Sequence, residues 1–130
     1  MSDIKFGTDG WRALIAKDYT VDNVARVSIA VSNWLNNNYS NPSIVLGHDC
    51  RFGGKLFSET VAKVLTQYNI KVKMAEGFVS TPMVSLGVVK ESANLGVVIT
   101  ASHNPPTYNG YKLKGDFGGP LLPDKISEVE

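Results

Sequence analysis

Leu95-Gly-Val-Val-Ile99, running directly into Thr100-Ala-Ser-His-Asn-Pro-Pro-Thr-Tyr-Asn-Gly-Tyr-Lys112, is the stretch from which the fold can be read. Five apolar, largely β-branched residues in a row suit a strand buried on both faces, and the polar loop behind them must then leave the sheet at its carboxyl end. Ser43-Ile-Val-Leu-Gly47 has the same character. Between these strands, Phe57, Val61, Val64/Leu65 and Tyr68 recur at helical spacing, Lys71 to Phe78 reads as extended, and Ser80-Thr81-Pro82 opens a helix. In that opening Thr81 is the expected cap and Pro82 suits the first turn, with Met83, Leu86 and Val89 forming the apolar side. Upstream, Thr20 caps a helix whose apolar residues are Val24, Val27, Val31 and Trp34/Leu35. Downstream, a turn at Asn109-Gly110 precedes a short strand over Tyr111 to Lys114. Pro123 and Asp124 then open a helix whose apolar stripe, Ile126 and Val129, stops at Glu130, which suggests either a frayed terminus or a cut in a longer chain.

Strands alternating with helices at this pitch predict one α/β domain over residues 1–130. The expected architecture is a three-layer α/β/α sandwich around a mostly parallel, mixed sheet of four strands. Ligands of such folds gather at the carboxyl ends of the strands, where the loops His48 to Gly54 and Thr100 to Lys112 lie.

The composition narrows the function. The chain has 130 residues, 43% of them hydrophobic, and thirteen basic against twelve acidic side chains give a net charge of +1. That is enough apolar matter for a core, and no electrostatic footprint for nucleic acid or an anionic membrane; any bound anion must be gripped locally. One cysteine, Cys50, excludes an internal disulfide, and two histidines make a zinc site of ordinary spacing improbable. With no apolar run of signal-peptide or membrane-spanning length, the expected location is the cytoplasm.

Three segments could carry chemistry. In Thr100 to Pro106 a buried strand delivers Ser102, His103 and Asn104 onto a loop stiffened by two prolines, with Ser102 the natural nucleophile; Ser, Asn and Pro equally make an ordinary turn. His103 follows Ser102 directly, and neighbours on an extended segment point apart, so a triad-type bond within the pair is not expected. The Gly-x-Ser-x-Gly elbow is missing, which disfavours acyl transfer. A serine carrying a phosphoryl group would need donors, a cation and a nearby acid or base. Lys112 and Lys114 alternate onto one face of the next strand; Lys112 suits proton transfer or phosphate contact, and Lys114 a solvated surface role. In the second segment, Phe6-Gly-Thr-Asp-Gly-Trp-Arg12, two glycines expose main-chain amides before Arg12, which could hold an anion; the plainer reading is a strand and turn with Trp11 in the core. The third, Gly47-His-Asp-Cys-Arg-Phe-Gly-Gly-Lys55, has the wrong spacing for a P-loop and Leu56 where Ser or Thr is needed, so Asp49 and Arg51 are expected to pair with each other or with neighbouring loops. No dinucleotide fingerprint is present.

Together and in this order, FGTDGWR (6–12), GHDCR (47–51) and TASHNPPTYNGYK (100–112) resemble the first domain of the α-D-phosphohexomutases, the family of phosphoglucomutases, phosphomannomutases and phosphoglucosamine mutases. The resemblance implies a phosphoserine at Ser102 that exchanges its phosphoryl group with a hexose phosphate through a sugar bisphosphate, moving phosphate between C1 and C6. It implies Arg12 at the reacting phosphate, Lys112 in proton transfer, and His103 and Asn104 shaping the serine loop. It also implies Mg2+ held by an oxygen on Ser102 together with aspartates of a second domain. The partners would be a hexose phosphate and the remaining domains of a four-domain enzyme, of which this chain would be an inactive fragment. The alternative is a stand-alone module that binds sugar phosphates.

Overall fold

The computed structural model describes residues 3–7 and 9–130; Met1 and Ser2 of the N-terminal stretch and Thr8 of FGTDGWR lie outside the described residues. The described residues form five strands and four helices, in the order β1 (Trp11–Leu14), α1 (Val21–Asn38), β2 (Ser43–His48), α2 (Gly54–Gln67), β3 (Lys71–Met74), α3 (Thr81–Lys90), β4 (Leu95–Ile99), β5 (Tyr108–Gly115) and α4 (Pro123–Val129). They form one mixed sheet in the order β1-β5-β4-β2-β3, in which β2 pairs parallel with both β3 and β4, and β5 runs antiparallel to both β4 and β1. The sheet thus has five strands where four were expected. The additional one is β1, which begins in Phe6 to Arg12 where the plainer reading put a strand and turn with Trp11 in the core; Trp11 is buried as that reading has it, but the four-strand count left this strand out of the sheet.

β4 is buried at every position, as its composition predicts, because it lies between β2 and β5 with helices on both faces. Its residues divide by parity. Leu95, Val97 and Ile99 join Ile44 and Leu46 of β2 in the larger core under α1, α2 and α4, while Val98 and Val45 meet Val84 and Val88 of α3 in a smaller one. Gly96 lies on the α3 side, where a Cβ would come within 2.6 Å of Val88 and 3.2 Å of the Lys114 side chain. β3 closes the far edge with Lys71 and Lys73 exposed, charges that discourage strand addition there.

Side-chain caps open α1 and α3. Thr20 accepts the Asn23 amide at 3.2 Å at the start of α1. At α3 the cap is Ser80, which accepts the Met83 amide at 3.4 Å, one residue before the expected Thr81. The inward face of α3 also differs from expectation: Val84 and Val88 are buried, and Met83, Leu86 and Val89 are all more than half exposed. Thr81, Ser85 and Lys90 are the polar residues of this largely apolar helix, too few to mark one face for periodicity to read. The short α4 is docked rather than frayed, with Val129 buried against α1 and Glu128 accepting the Trp34 indole N–H at 2.8 Å. No helix among the described residues is long and apolar enough to cross a membrane.

Because Leu46 is wholly buried in the larger core and Leu86 faces outward, the two leucines should respond differently to truncation. Leu46→Ala is expected to lower the unfolding free energy by about 2–5 kcal/mol. Leu86→Ala should change it by no more than about 0.5 kcal/mol. Urea denaturation of the two variants reads the difference, and equal losses would mean that α3 packs through its other face.

Candidate functional site

The parallel strands β2 and β4 end side by side, with the Asp49 amide donating to the Ile99 carbonyl at 3.2 Å, so the segments following His48 and Ile99 leave the sheet together. Thr100 begins the second segment and is almost wholly buried. Its hydroxyl donates to the Asp49 carboxylate and accepts the Ser102 amide at 3.0 Å. Ser102 itself stands at the exposed tip with a φ of 52°, in the left-handed region. For a serine that conformation costs on the order of 1–3 kcal/mol and persists only where the surroundings over-determine it. The chain therefore turns at Ser102, and the extended geometry expected for Ser102 and His103 is not present; no intra-loop triad forms. His103 is exposed and has no hydrogen-bond partner among the described residues. His48 gives its Nδ1 contact to the Asp49 carbonyl at 2.8 Å.

The antiparallel return of β5 brings the lysines back to this tip. Tyr111 and Leu113 point into the larger core, so Lys112 and Lys114 project to the opposite face. Lys112 Nζ donates to Ser102 Oγ at 2.7 Å and lies 2.9 Å from Asp9 Oδ2. Lys114 Nζ lies 3.3 Å from Asp9 Oδ1. Both residues are only 4% exposed. The solvated role expected for Lys114 is thus replaced by a buried ion pair, because the segment carrying Asp9 covers β5. Gly10, with a φ of 99°, makes that cover possible: a Cβ there would come within 2.7 Å of the Tyr111 carbonyl. Partial burial works to raise the Asp9 pKa, and the hydrogen bonds and positive charges of Lys112 and Lys114 together outweigh it, holding the carboxyl below its ordinary value. A single carboxylate shared by two ammonium groups leaves one positive charge in excess beside Ser102.

Arg12 lies opposite Gly110 in the β1–β5 register, and its Nη1 donates to Asn104 Oδ1 at 2.8 Å. Among the described residues that is its one side-chain hydrogen bond, which leaves further donors of the guanidinium unspent. Gly110 permits the approach, since a Cβ would sit 2.4 Å from the Thr100 carbonyl and 2.9 Å from that of Trp11. It lies within β5, so the turn expected at Asn109-Gly110 is absent. Beneath it, Tyr19 is fully buried and donates to the Gly110 carbonyl at 2.7 Å. Its burial, with Tyr111 and Asp49 nearby, pushes the phenol well above its usual range and keeps it a neutral donor.

The site therefore unites Ser102, Lys112, Arg12 and Asn104, and leaves His103 to one side. The expected pairing of Asp49 with Arg51 is present, at 3.6 Å, and so is the expected reach to a neighbouring loop: Arg51 donates to carbonyls of the serine loop. Two participants were not foreseen. Asp9 was legible only as a turn residue, although two alternating lysines on a buried strand are a signal that a carboxylate must face them. Thr100 carried no signal beyond following a strand. Among the described residues no group of three or more His, Cys, Asp or Glu side chains could hold a metal ion.

Residues 3–130 match the family model described as phosphoglucomutase/phosphomannomutase, alpha/beta/alpha domain I. A phosphoglucomutase of Staphylococcus saprophyticus is 37% identical over 129 residues, which cover 97% of this chain and 23% of that protein. One from Staphylococcus haemolyticus is 34% identical, with 98% of this chain and 24% of its own length covered. A Thermus thermophilus structure described as a phosphomannomutase superposes with a TM-score of 0.95 at 34% identity, covering 98% of this chain and 29% of that one. Parafusin, a phosphoglucomutase from Paramecium, shares the fold with a TM-score of 0.87 at 22% identity, covering 96% of this chain and 24% of its own. The chain thus spans about a quarter of the length of the curated relatives it matches. Matched over nearly its whole length by the domain model, the chain belongs to the phosphoglucomutase/phosphomannomutase family, as its α/β/α domain I.

Proposed function

We propose that this chain is the phosphoryl-carrying domain of a phosphohexomutase, with Ser102 as the carrier, in an enzyme that interconverts hexose 1-phosphates and hexose 6-phosphates. The observation that supports this most directly is the 2.7 Å hydrogen bond from Lys112 to Ser102 Oγ, at the tip of a strained loop and beside an excess positive charge. The partial coverage of the relatives favours a role within a larger enzyme over a stand-alone binding module, with sugar recognition contributed by further domains. Cytoplasmic sugar-phosphate metabolism, in a reducing compartment, is the corresponding location.

In the forward step a hydroxyl of the hexose phosphate attacks the phosphorus on Ser102, the P–Oγ bond breaks, and a sugar bisphosphate forms. Oγ leaves with negative charge, and Lys112, already donating to it, supplies the proton it needs, while the proton of the attacking hydroxyl is released to water. Asp9 holds the other side of the same ammonium and fixes its direction. Once the bisphosphate has reoriented, Oγ attacks its other phosphoryl group and its proton returns to Lys112; the sugar O–P bond breaks, the sugar oxygen takes up a proton from water, and the isomeric monophosphate departs. Arg12, tied to Asn104, offers its remaining donors to the phosphoryl oxygens. His103, exposed beside Ser102, would shape the outer side of the serine loop. Phosphoryl transfer depends mainly on such positioning and charge neutralisation. Mg2+, when bound, adds charge neutralisation at the phosphoryl group. Of this chain it would meet an oxygen on phosphorylated Ser102, because Asp9 is committed to two lysines; aspartates of another domain would complete its shell.

In the intact gene product, Ser102→Ala should abolish both mutase turnover and the phosphoryl adduct that mass spectrometry detects on the wild type; an active variant would sink the assignment of the carrier. Lys112→Ala should lower kcat by about 10²- to 10⁴-fold with a smaller change in KM. A rise in KM alone would reduce Lys112 to a phosphate contact.

A further inference from the structure

We propose that Arg51 is a positioning residue for phosphoryl transfer, a clamp that sets the conformation of the Ser102 loop without touching the reacting group. Its Nη2 donates to the carbonyls of Ser102 and Asn104, each at 2.6 Å. Its Nη1 donates to those of Pro105 at 2.8 Å and Tyr108 at 3.1 Å. Nε faces Asp49 Oδ2 at 3.6 Å, and the Arg51 amide donates to Oδ1 of the same carboxylate at 3.0 Å. Arginine has five N–H donors in a planar fork; four are spent on loop carbonyls and the fifth faces Asp49. None is left for a phosphate, although the side chain is only 12% exposed and lies next to the reactive tip.

The carbonyls so gathered belong to a segment with little regular structure, in which the described internal ties are the Asn104 amide to the Ala101 carbonyl and the Tyr108 amide to that of Pro105, each at 3.0 Å. Two such bonds are little to hold a serine in the left-handed region. Lys112 and Arg12 bind side chains of the loop, and the Ile15 amide takes the Thr107 carbonyl, but the main chain at Ser102 is held from both sides by Asp49 and Arg51: Asp49 orients Thr100, whose hydroxyl accepts the Ser102 amide, and Arg51 takes the Ser102 carbonyl. Both peptide groups flanking the Ser102 Cα are thereby fixed from the β2–α2 loop. Lysine cannot substitute, since one ammonium with three donors does not span four carbonyls.

This inference rests on Ser102 being the phosphoryl carrier, and Arg51→Lys in the intact gene product tests it while keeping the charge. The expected result is a fall in kcat of about 100-fold with KM within about threefold. Amide exchange at Asn104 and Tyr108 should quicken at least about tenfold, with the β4 amides unchanged. Retained kcat overturns the proposal. So does a rise in KM at constant kcat, which would make Arg51 a substrate contact, or faster exchange throughout β4, which would make its role generally structural. Ser102→Ala, assayed in parallel, separates the two ideas: activity there defeats the carrier, whereas the exchange rates judge the clamp without any turnover.

Discussion

The site depends on a buried ammonium group that must find partners. Lys112 is nearly inaccessible to water, and a charge in that position is tolerated only when it is paired and hydrogen-bonded. Its partners are Asp9, which arrives from the N-terminal segment, and Ser102, which arrives from the end of β4. The same desolvation that makes the ion costly strengthens its attraction for anything anionic placed on Ser102. Lys114 shares Asp9 and leaves the cluster one positive charge in excess, so a chain with almost no net charge still concentrates the field a phosphoryl group requires.

That arrangement is possible because the sheet is mixed. In a wholly parallel sheet the strand after β4 would return through a helical crossover and start again at the opposite end. Here β5 follows β4 directly in the antiparallel sense, so the strand leaving the serine loop runs back beneath it and places Lys112 under Ser102. β1 then pairs antiparallel with β5, which sets Arg12 opposite Gly110 and within reach of Asn104. Glycine at position 110 lets the main chain of β1 and of the segment after β4 approach β5 closely beside the Ser102 loop.

The loop supplies the complementary element, a hydroxyl held in an unfavourable backbone conformation by groups outside its own segment. Thr100, Asp49 and Arg51 act on the main chain around Ser102 rather than on its side chain, which leaves Oγ bound to the lysine at the exposed tip. The strain is offset by hydrogen bonds made when β2 and β4 lie side by side, so the reactive geometry is a product of the completed sheet. His103, next to Ser102 in sequence, gains nothing from that neighbourhood, because the turn directs it to solvent.

Local physics was enough to identify the buried strands β2 and β4, the amphipathic α1 and α2, the serine loop and the facing of Lys112. Each of these is encoded by composition or by a spacing of two, three or four residues. The motifs FGTDGWR, GHDCR and TASHNPPTYNGYK carried the family as well. The pairing of β1 with β5, the inward face of the largely apolar α3, the burial of Lys114, the parts played by Asp9 and Thr100 and the choice of carbonyls that Arg51 holds were decided by tertiary structure. Asp9 meets Lys114 across 105 positions of chain, and Arg51 meets Ser102 across 51. A charge or a guanidinium fork carries no period in sequence, and its partner is set only when separate strands are brought into register.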